Sequence, residues 1–338
     1  MLQAYSLKKA LEKENFDVYF IDYRIDHLSK RYSFFQLYKY KNDGFKRKMK
    51  QFISVLFHLK ERYITINKFK SFEKKYFPLL DLDHTNELDF VVVGSDQIWN
   101  PCITGGYNAI YWGELSKLGV LHISYAASCP SKYVTMDQLP LLKNFVSIGI
   151  REETTLVKIK SLDIQAYYTI DPSLLLSAYD YEPLLERSRI KKKFIFIYNL
   201  NGSSQLYIIA NRIRNRKDFS ILGNFYSKEH AVDIVYRDAG PKDFVTLIKN
   251  AEATVVSSFH GTAFSIIFHK PFVYYPFGNE KDERAFSIIK PLGLEACIYN
   301  DKFDYQSIYD INWEDVDRKL NVLRHSSLDY LKENLKEN

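Results

Sequence analysis

FVVVGSDQIWNP, residues 90–101, decides the fold and raises the first functional question. Four apolar residues run straight into a glycine. A hydroxyl, a carboxylate, an amide, an indole and a second amide follow, and proline closes the stretch. A short apolar run bounded by a glycine reads as a buried strand. A turn alone needs none of the chemistry that follows it, so residues 95–100 form a candidate site at a strand's carboxyl end.

Outward from this stretch, strand-like and helix-like runs alternate. LQAYSLKKALEKEN (2–15) has helical spacing and DVYFIDY (17–23) reads as a strand. Further strands are expected at VLHISYAAS (120–128), VSIGI (146–150) and AYYTI (166–170), with helical patterns at MDQLPLLKNF (136–145) and EETTLVKIKSL (152–162). A second series opens at KFIFIYNL (193–200) and runs through SSQLYIIANRIRNRK, FSILGNF, VDIVYRDA, DFVTLIKNA, ATVVSS, TAFSIIFHK and PFVYYP. Such alternation predicts parallel sheets with helices on both faces. The two series predict an α/β domain over 1–175, a second over 176–320 and a terminal helix over 321–338. In open α/β sheets ligands bind beyond the carboxyl ends of strands.

The chain of 338 residues is comfortable for two domains, and 46% hydrophobic with 26% charged residues is a globular composition. Cys102, Cys129 and Cys297 are scattered and form no CxxC pair. That argues against a zinc site or a disulfide framework and fits a reducing compartment. The start, MLQAYSLKKALEKENF, shows no apolar signal region, and no run approaches the ~18 apolar residues of a membrane span. A cytoplasmic location is the expectation.

The net charge of +6 is uneven: residues 24–75 carry 15 Lys/Arg against 4 Asp/Glu. A solvated basic helical face is the simplest reading. Peripheral contact with an anionic membrane surface is the alternative of interest. Nucleic acid is not expected, because no recognition motif accompanies the charge.

Two other stretches carry chemistry. In VVSSFHGTAFSIIFHKPF (255–272) a strand ends at Ser257 and Ser258, and a helix is expected to start near Thr262. Backbone N–H groups at a helix start favour anions, so Ser258, His260, Gly261 and Thr262 read as an anion cradle with an imidazole aimed into it. In VSIGIREETTL (146–156), Arg151 follows a strand end, where its planar fork suits phosphate or carboxylate. An ion pair to Glu152 or Glu153 is equally compatible. In the opening loop, Ser95, Asp96, Gln97, Trp99 and Asn100 offer a sugar-binding surface, with Asp96 as a candidate base. A backbone-satisfying loop with a core tryptophan is the competing reading. No HExxH, GxGxxG or GxxxxGK[ST] pattern occurs.

These stretches together resemble the polysaccharide pyruvyl transferase family. VVVGSDQIWNP resembles its GSDQxWNP signature, SYAAS (124–128) its next motif, IREE (150–153) its R-E-E strand end and DPSLLL (171–176) its interdomain segment. The block 239–273, containing SFHG, and NEKDERAFSIIKPLGLEA (279–296), which draws in Arg284, continue the likeness to about residue 300. Members usually begin with a strand and a glycine loop before the helix at LQAYSLKKAL, where the present sequence begins. The resemblance implies a GT-B-like pair of Rossmann-like, doubly wound domains facing a cleft. It also implies transfer of a pyruvyl group from phosphoenolpyruvate to two hydroxyls of a sugar or lipid-linked oligosaccharide, as a cyclic ketal in exopolysaccharide or capsule synthesis.

On that reading phosphoenolpyruvate is the co-substrate and no further cofactor or metal is expected. Arg151, Ser258, His260, Gly261, Thr262 and Arg284 hold the donor. Ser95, Asp96, Gln97, Trp99 and Asn100 hold the acceptor. His260, Arg151 and Asp96 act in catalysis. A GT-B glycosyltransferase using a nucleotide sugar and a non-catalytic glycan-binding protein are the rivals.

Overall fold

The computed structural model describes residues 1–23, 25, 58–200, 202–214, 218–223 and 232–336. Most of the basic stretch 24–75 therefore lies outside the described residues, apart from helix Leu59–Tyr76 at its end.

Two parallel sheets organise the chain. The first is built from β3 (Phe90–Val93), β4 (Leu121–Ala127), β5 (Ser147–Ile150) and β6 (Tyr167–Tyr168), side by side in chain order. Two short strands before it, β1 (Phe20–Ile21) and β2 (Leu79–Leu80), pair with each other separately. The second sheet has the order β11-β10-β7-β8-β9, where β7 is Phe194–Tyr198, β8 Ser220–Gly223, β9 Ile234–Val235, β10 Ala253–Val256 and β11 Phe272–Tyr274. Every pairing in both sheets is parallel. The fold is the expected α/β arrangement of two parallel-sheet units.

The local reasons are plain in the sequence. FVVV, SIGI, FIFIY and ATVV are near-continuous apolar runs, as strands covered on both faces must be. In the second sheet the strand order reverses direction between β7 and β10, so the corner after β10 sits at a topological switch point. The first sheet opens its own corner with Gly94. Its φ is +153°, and a Cβ there would lie 1.9 Å from the Tyr125 carbonyl oxygen. Only glycine permits that approach of β3 to β4.

One apolar core joins the units. It runs from Tyr5 and Leu11 on helix Leu2–Lys13, through Tyr125 and Ile170, to Val256, Phe264 and Tyr330. The terminal helix spans Trp313–Asn334, so it begins before the expected position 321. It returns to the first sheet, where Tyr330 donates to the Ser124 carbonyl at 2.8 Å and Ser327 accepts from the Ile170 amide at 3.1 Å. Asn312 caps its start through the Asp315 amide, which explains the earlier beginning.

Candidate active site

The carboxyl ends of β3, β5, β6 and β10 converge, and polar side chains from both units meet there. Arg151, immediately after β5, is the centre. Its guanidinium is buried, only 1% exposed. Nη1 donates to Asp171, Nε to Glu152 at 3.3 Å, and Nη2 lies 3.5 Å from Asp96 Oδ1. Its plane also sits over the Phe259 ring, 4.6 Å from the centroid, a cation–π contact reaching across from the second unit. Desolvation works to lower the guanidinium pKa, yet Glu152, Asp171 and Asp96 together raise it above its usual value.

Asp171 sits three residues after β6 and is fully buried. Its Oδ1 accepts from the Ser173 amide at 3.0 Å and hydroxyl at 2.7 Å, which caps the short helix Pro172–Leu174. Its other oxygen takes Arg151. The same carboxylate lies 3.9 Å from His260 Nε2. It thus links Arg151 of one unit to the imidazole of the other. Glu152 is also buried, and its Oε1 accepts from Ser128 as well as Arg151. Burial pushes its carboxyl pKa up, against the pull of Arg151 and the Ser128 hydrogen bond.

The corner after β10 differs from expectation. The helix starts at Phe259, and its cap is Ser258, whose Oγ accepts from the Gly261 amide at 3.1 Å. Thr262 is buried and donates its hydroxyl to the Ser258 carbonyl, which also takes the Thr262 amide. The Gly261 and Thr262 N–H groups are therefore used within the turn and do not form the expected cradle. The donors of this helix start are the Phe259 and His260 N–H groups, two residues earlier. His260 projects toward Asp171 with 27% of its side chain exposed. Burial lowers its pKa, in spite of Asp171 and Asp96. Gly261 is needed for packing: a Cβ there would lie 2.9 Å from the Val256 side chain.

The loop after β3 splits the expected sugar surface. Asp96 turns into the site with φ +65°. Its carbonyl accepts from the Ile98 amide at 2.8 Å and the Ser128 amide at 3.1 Å, so the backbone is pinned to the end of β4. Desolvation raises its carboxyl pKa, but His260, Arg151 and Arg284 outweigh it and hold the pKa at about 2. A carboxylate that weakly basic is a poor proton acceptor at neutral pH, which counts against the expected base role. Ser95 is buried beside it, and Gln97 is half-buried.

Trp99 and Asn100 do not face the site. Trp99 is buried, stacked on Trp112 with centroids 4.5 Å apart, and donates to the Tyr111 carbonyl at 2.7 Å. Asn100 caps helix Pro101–Thr104 through the Cys102 amide at 3.0 Å. Core packing and helix capping use up both side chains.

Arg284, on helix Glu283–Ile289, completes the cluster, with Nη1 3.7 Å from Asp96 Oδ1. Burial, followed by repulsion from Arg151, lowers its pKa. The two expected residues Arg151 and Arg284 thus share one carboxylate. Asp171 and Glu152, which complete the charge network, were not among the expected site residues. Asp171 stands in DPSLLL as an Asp before a Pro, the signature of a helix cap, and its charged neighbours Arg151 and His260 lie far away in sequence.

Several buried polar atoms in this cluster have no hydrogen-bond partner: Ser95 Oγ, Asp96 Oδ1, Arg151 Nη2, Glu152 Oε2, Ser257 Oγ, His260 Nε2 and Arg284 Nε. Buried polar groups are normally paired. Their concentration at the strand ends of both units marks a place built for a polar ligand.

The family model for polysaccharide pyruvyl transferase matches residues 1–279. The chain belongs to the polysaccharide pyruvyl transferase family. No curated protein sequence matches it. Among solved structures it is similar to UDP-GlcNAc 2-epimerase from Methanocaldococcus jannaschii, at 14% identity over 96% of each chain with a TM-score of 0.48. The match to this transferase family covers Asp96, Arg151, Glu152, Asp171 and His260, and stops five residues short of Arg284. Among the described residues, no helix is long and apolar enough to cross a membrane.

Proposed function

We propose that this transferase moves a pyruvyl group from phosphoenolpyruvate onto two hydroxyls of a sugar, forming a cyclic ketal and releasing phosphate. Family membership supports the reaction class. The observation that carries the substrate is the group of buried, unpartnered donors and acceptors around Arg151, Arg284 and His260. A donor bearing a phosphate and a carboxylate close together needs fixed positive groups, and two guanidinium groups with a helix start supply them.

The chemistry needs a proton at the methylene carbon of the enol and a base for each attacking hydroxyl. Protonation makes C2 electrophilic. One sugar hydroxyl adds there and loses its proton. The second then forms its bond to C2 as the C–O bond to phosphate breaks, and phosphate leaves with that electron pair. Glu152 is the group whose pKa is pushed up, and His260 the group whose pKa is pushed down. Titratable groups driven apart in this way are the natural acid and base pair. His260, whose pKa burial lowers, accepts the proton of the first hydroxyl and passes it to the leaving phosphate; Glu152, whose pKa burial raises, gives its proton to the methylene carbon and takes one back from the second hydroxyl. Arg151 and Arg284 hold the charge that develops on the leaving group.

The acceptor is a sugar or a lipid-linked oligosaccharide. The basic stretch 24–75 brings a cytoplasmic enzyme to an anionic membrane surface. Mass spectrometry of candidate acceptors after incubation with phosphoenolpyruvate tests the reading, with phosphate release followed in parallel. A ketal adduct with matching phosphate is the expected result. Release of nucleotide from sugar nucleotides, with phosphoenolpyruvate left intact, overturns it in favour of glycosyl transfer.

A further inference from the structure

Asp96 stands where a donor's anionic oxygen would sit. Its Oδ1 lies between the two guanidinium groups, 3.5 Å from Arg151 Nη2 and 3.7 Å from Arg284 Nη1. Both distances exceed a hydrogen bond. Asp96 Oδ1, Arg151 Nη2 and Arg284 Nε all remain without a hydrogen-bond partner. The carboxylate therefore neutralises the two cations without satisfying their donors. A phosphate or carboxylate oxygen at normal hydrogen-bond distance would do both.

Resting charge makes the same point. Arg151 is already paired with Asp171, so an incoming anion meets no unpaired guanidinium group. It meets two guanidinium groups bridged by Asp96. The Asp96 backbone is pinned by Ile98 and Ser128, yet 40% of its side chain is exposed. Part of the side chain therefore meets solvent while the backbone is held in place.

We infer that Asp96 is a built-in competitor for the donor's anionic group: it bridges Arg151 and Arg284 in the empty site, yields that place when donor binds, and returns as phosphate leaves. This rests on the reading of the cluster as a donor site. Without the bridge, two guanidinium groups would face each other beside a low-dielectric interior. With the bridge in place, ground-state affinity is held down, and tight binding of donor and product would add nothing to turnover.

Asp96→Asn isolates the charge. Asparagine tolerates the left-handed conformation at least as well as aspartate, so the φ of +65° is kept. Calorimetric titration with inorganic phosphate, and separately with phosphoenolpyruvate, compares the wild type, Asp96→Asn, Arg284→Ala and the double variant. Asp96→Asn is expected to bind phosphate at least about fivefold more tightly, the lower end for removing a like charge near 4 Å. Phosphate becomes a correspondingly stronger product inhibitor, and the gain shrinks in the Arg284→Ala background.

Unchanged or weaker phosphate binding by Asp96→Asn overturns the inference, as does a gain undiminished by Arg284→Ala. No measurable phosphate binding by either protein overturns it too. Ketal formation is scored separately. A phosphate gain without any ketal keeps the competitor and removes the pyruvyl reading; a ketal without the gain does the reverse.

Discussion

The two halves of the site are built on opposite principles. The first-sheet half, Arg151 with Asp171 and Glu152, is buried and internally bonded, and each charge has a charged neighbour within the same unit. The second-sheet half, Ser257, His260 and Arg284, is only partly covered and leaves donors and acceptors unused. The first half is mostly bonded within itself, with Arg151 Nη2 and Glu152 Oε2 left over. The second is completed by something that binds. A charged residue at a strand end is thus not by itself a ligand contact; what matters is whether its bonding capacity is already spent.

The largest effect comes from breaking the first half. Arg151→Ala leaves Asp171 and Glu152 buried without their cation and removes the contact with Phe259. Removing one member of a buried ion network costs about 3–5 kcal/mol. Denaturant titration is expected to show a loss of that size or a chain that no longer folds. A near-normal midpoint would mean that Arg151 is a free anion clamp, one of the two roles that the sequence leaves open.

Breaking the second half should leave stability alone and strike turnover. His260→Ala is expected to lower the rate roughly 10²–10⁴-fold, the usual worth of a placed acid or base, with an unchanged denaturation midpoint. In the wild type, the limb of the pH–rate profile that belongs to His260 should lie below 6.5, because burial lowers its pKa from that value. A limb at or above 6.5, or full activity of the variant, takes the imidazole out of the mechanism.

A smaller effect tests the carboxylate between the halves. Asp96 has a folded pKa of about 2 against an ordinary 3.8. A depressed folded pKa contributes stability that is complete above the unfolded value and lost as pH falls through the folded one. Wild type should therefore lose more stability than Asp96→Asn between about pH 4 and pH 2. Parallel acid-unfolding curves for the two proteins would show that the guanidinium groups do not hold Asp96.

Much of this was legible beforehand, for a physical reason. Apolar runs ending in Gly94, Arg151 and Ser257 report burial on both faces, and burial is what makes a parallel strand. Their carboxyl ends then had to carry the polar residues, and Asp96, Arg151, His260 and Arg284 do come together. The failures are contests between roles that the local sequence leaves open. Trp99 was read as a sugar platform because its neighbours are polar, but Trp112 and Phe145 lie across the fold and take its ring. Asn100 could bind a hydroxyl or cap a helix, and Pro101 after it settled the matter for capping. Asp171 escapes notice because its charged neighbours are remote: Arg151 lies 20 residues earlier and His260 on a helix of the second unit.

The cap after β10 offers the finest comparison, because a different hydroxyl from the expected one takes the role. Thr262 was expected to start the helix, and Ser258 does, with φ −137°, ψ 152° and its Oγ on the Gly261 amide. Ser258→Ala is expected to cost about 1 kcal/mol, and Ser258→Gly only a few tenths. That order, seen in denaturation midpoints, belongs to a cap. If Ser258 instead touched the donor, both variants would weaken phosphate binding equally whatever their stability. Because the cap fixes where His260 leaves the helix, a small fall in turnover that tracks the stability loss is consistent with positioning. A large fall in affinity with normal stability would return Ser258 to the ligand and move the cap's work to Thr262.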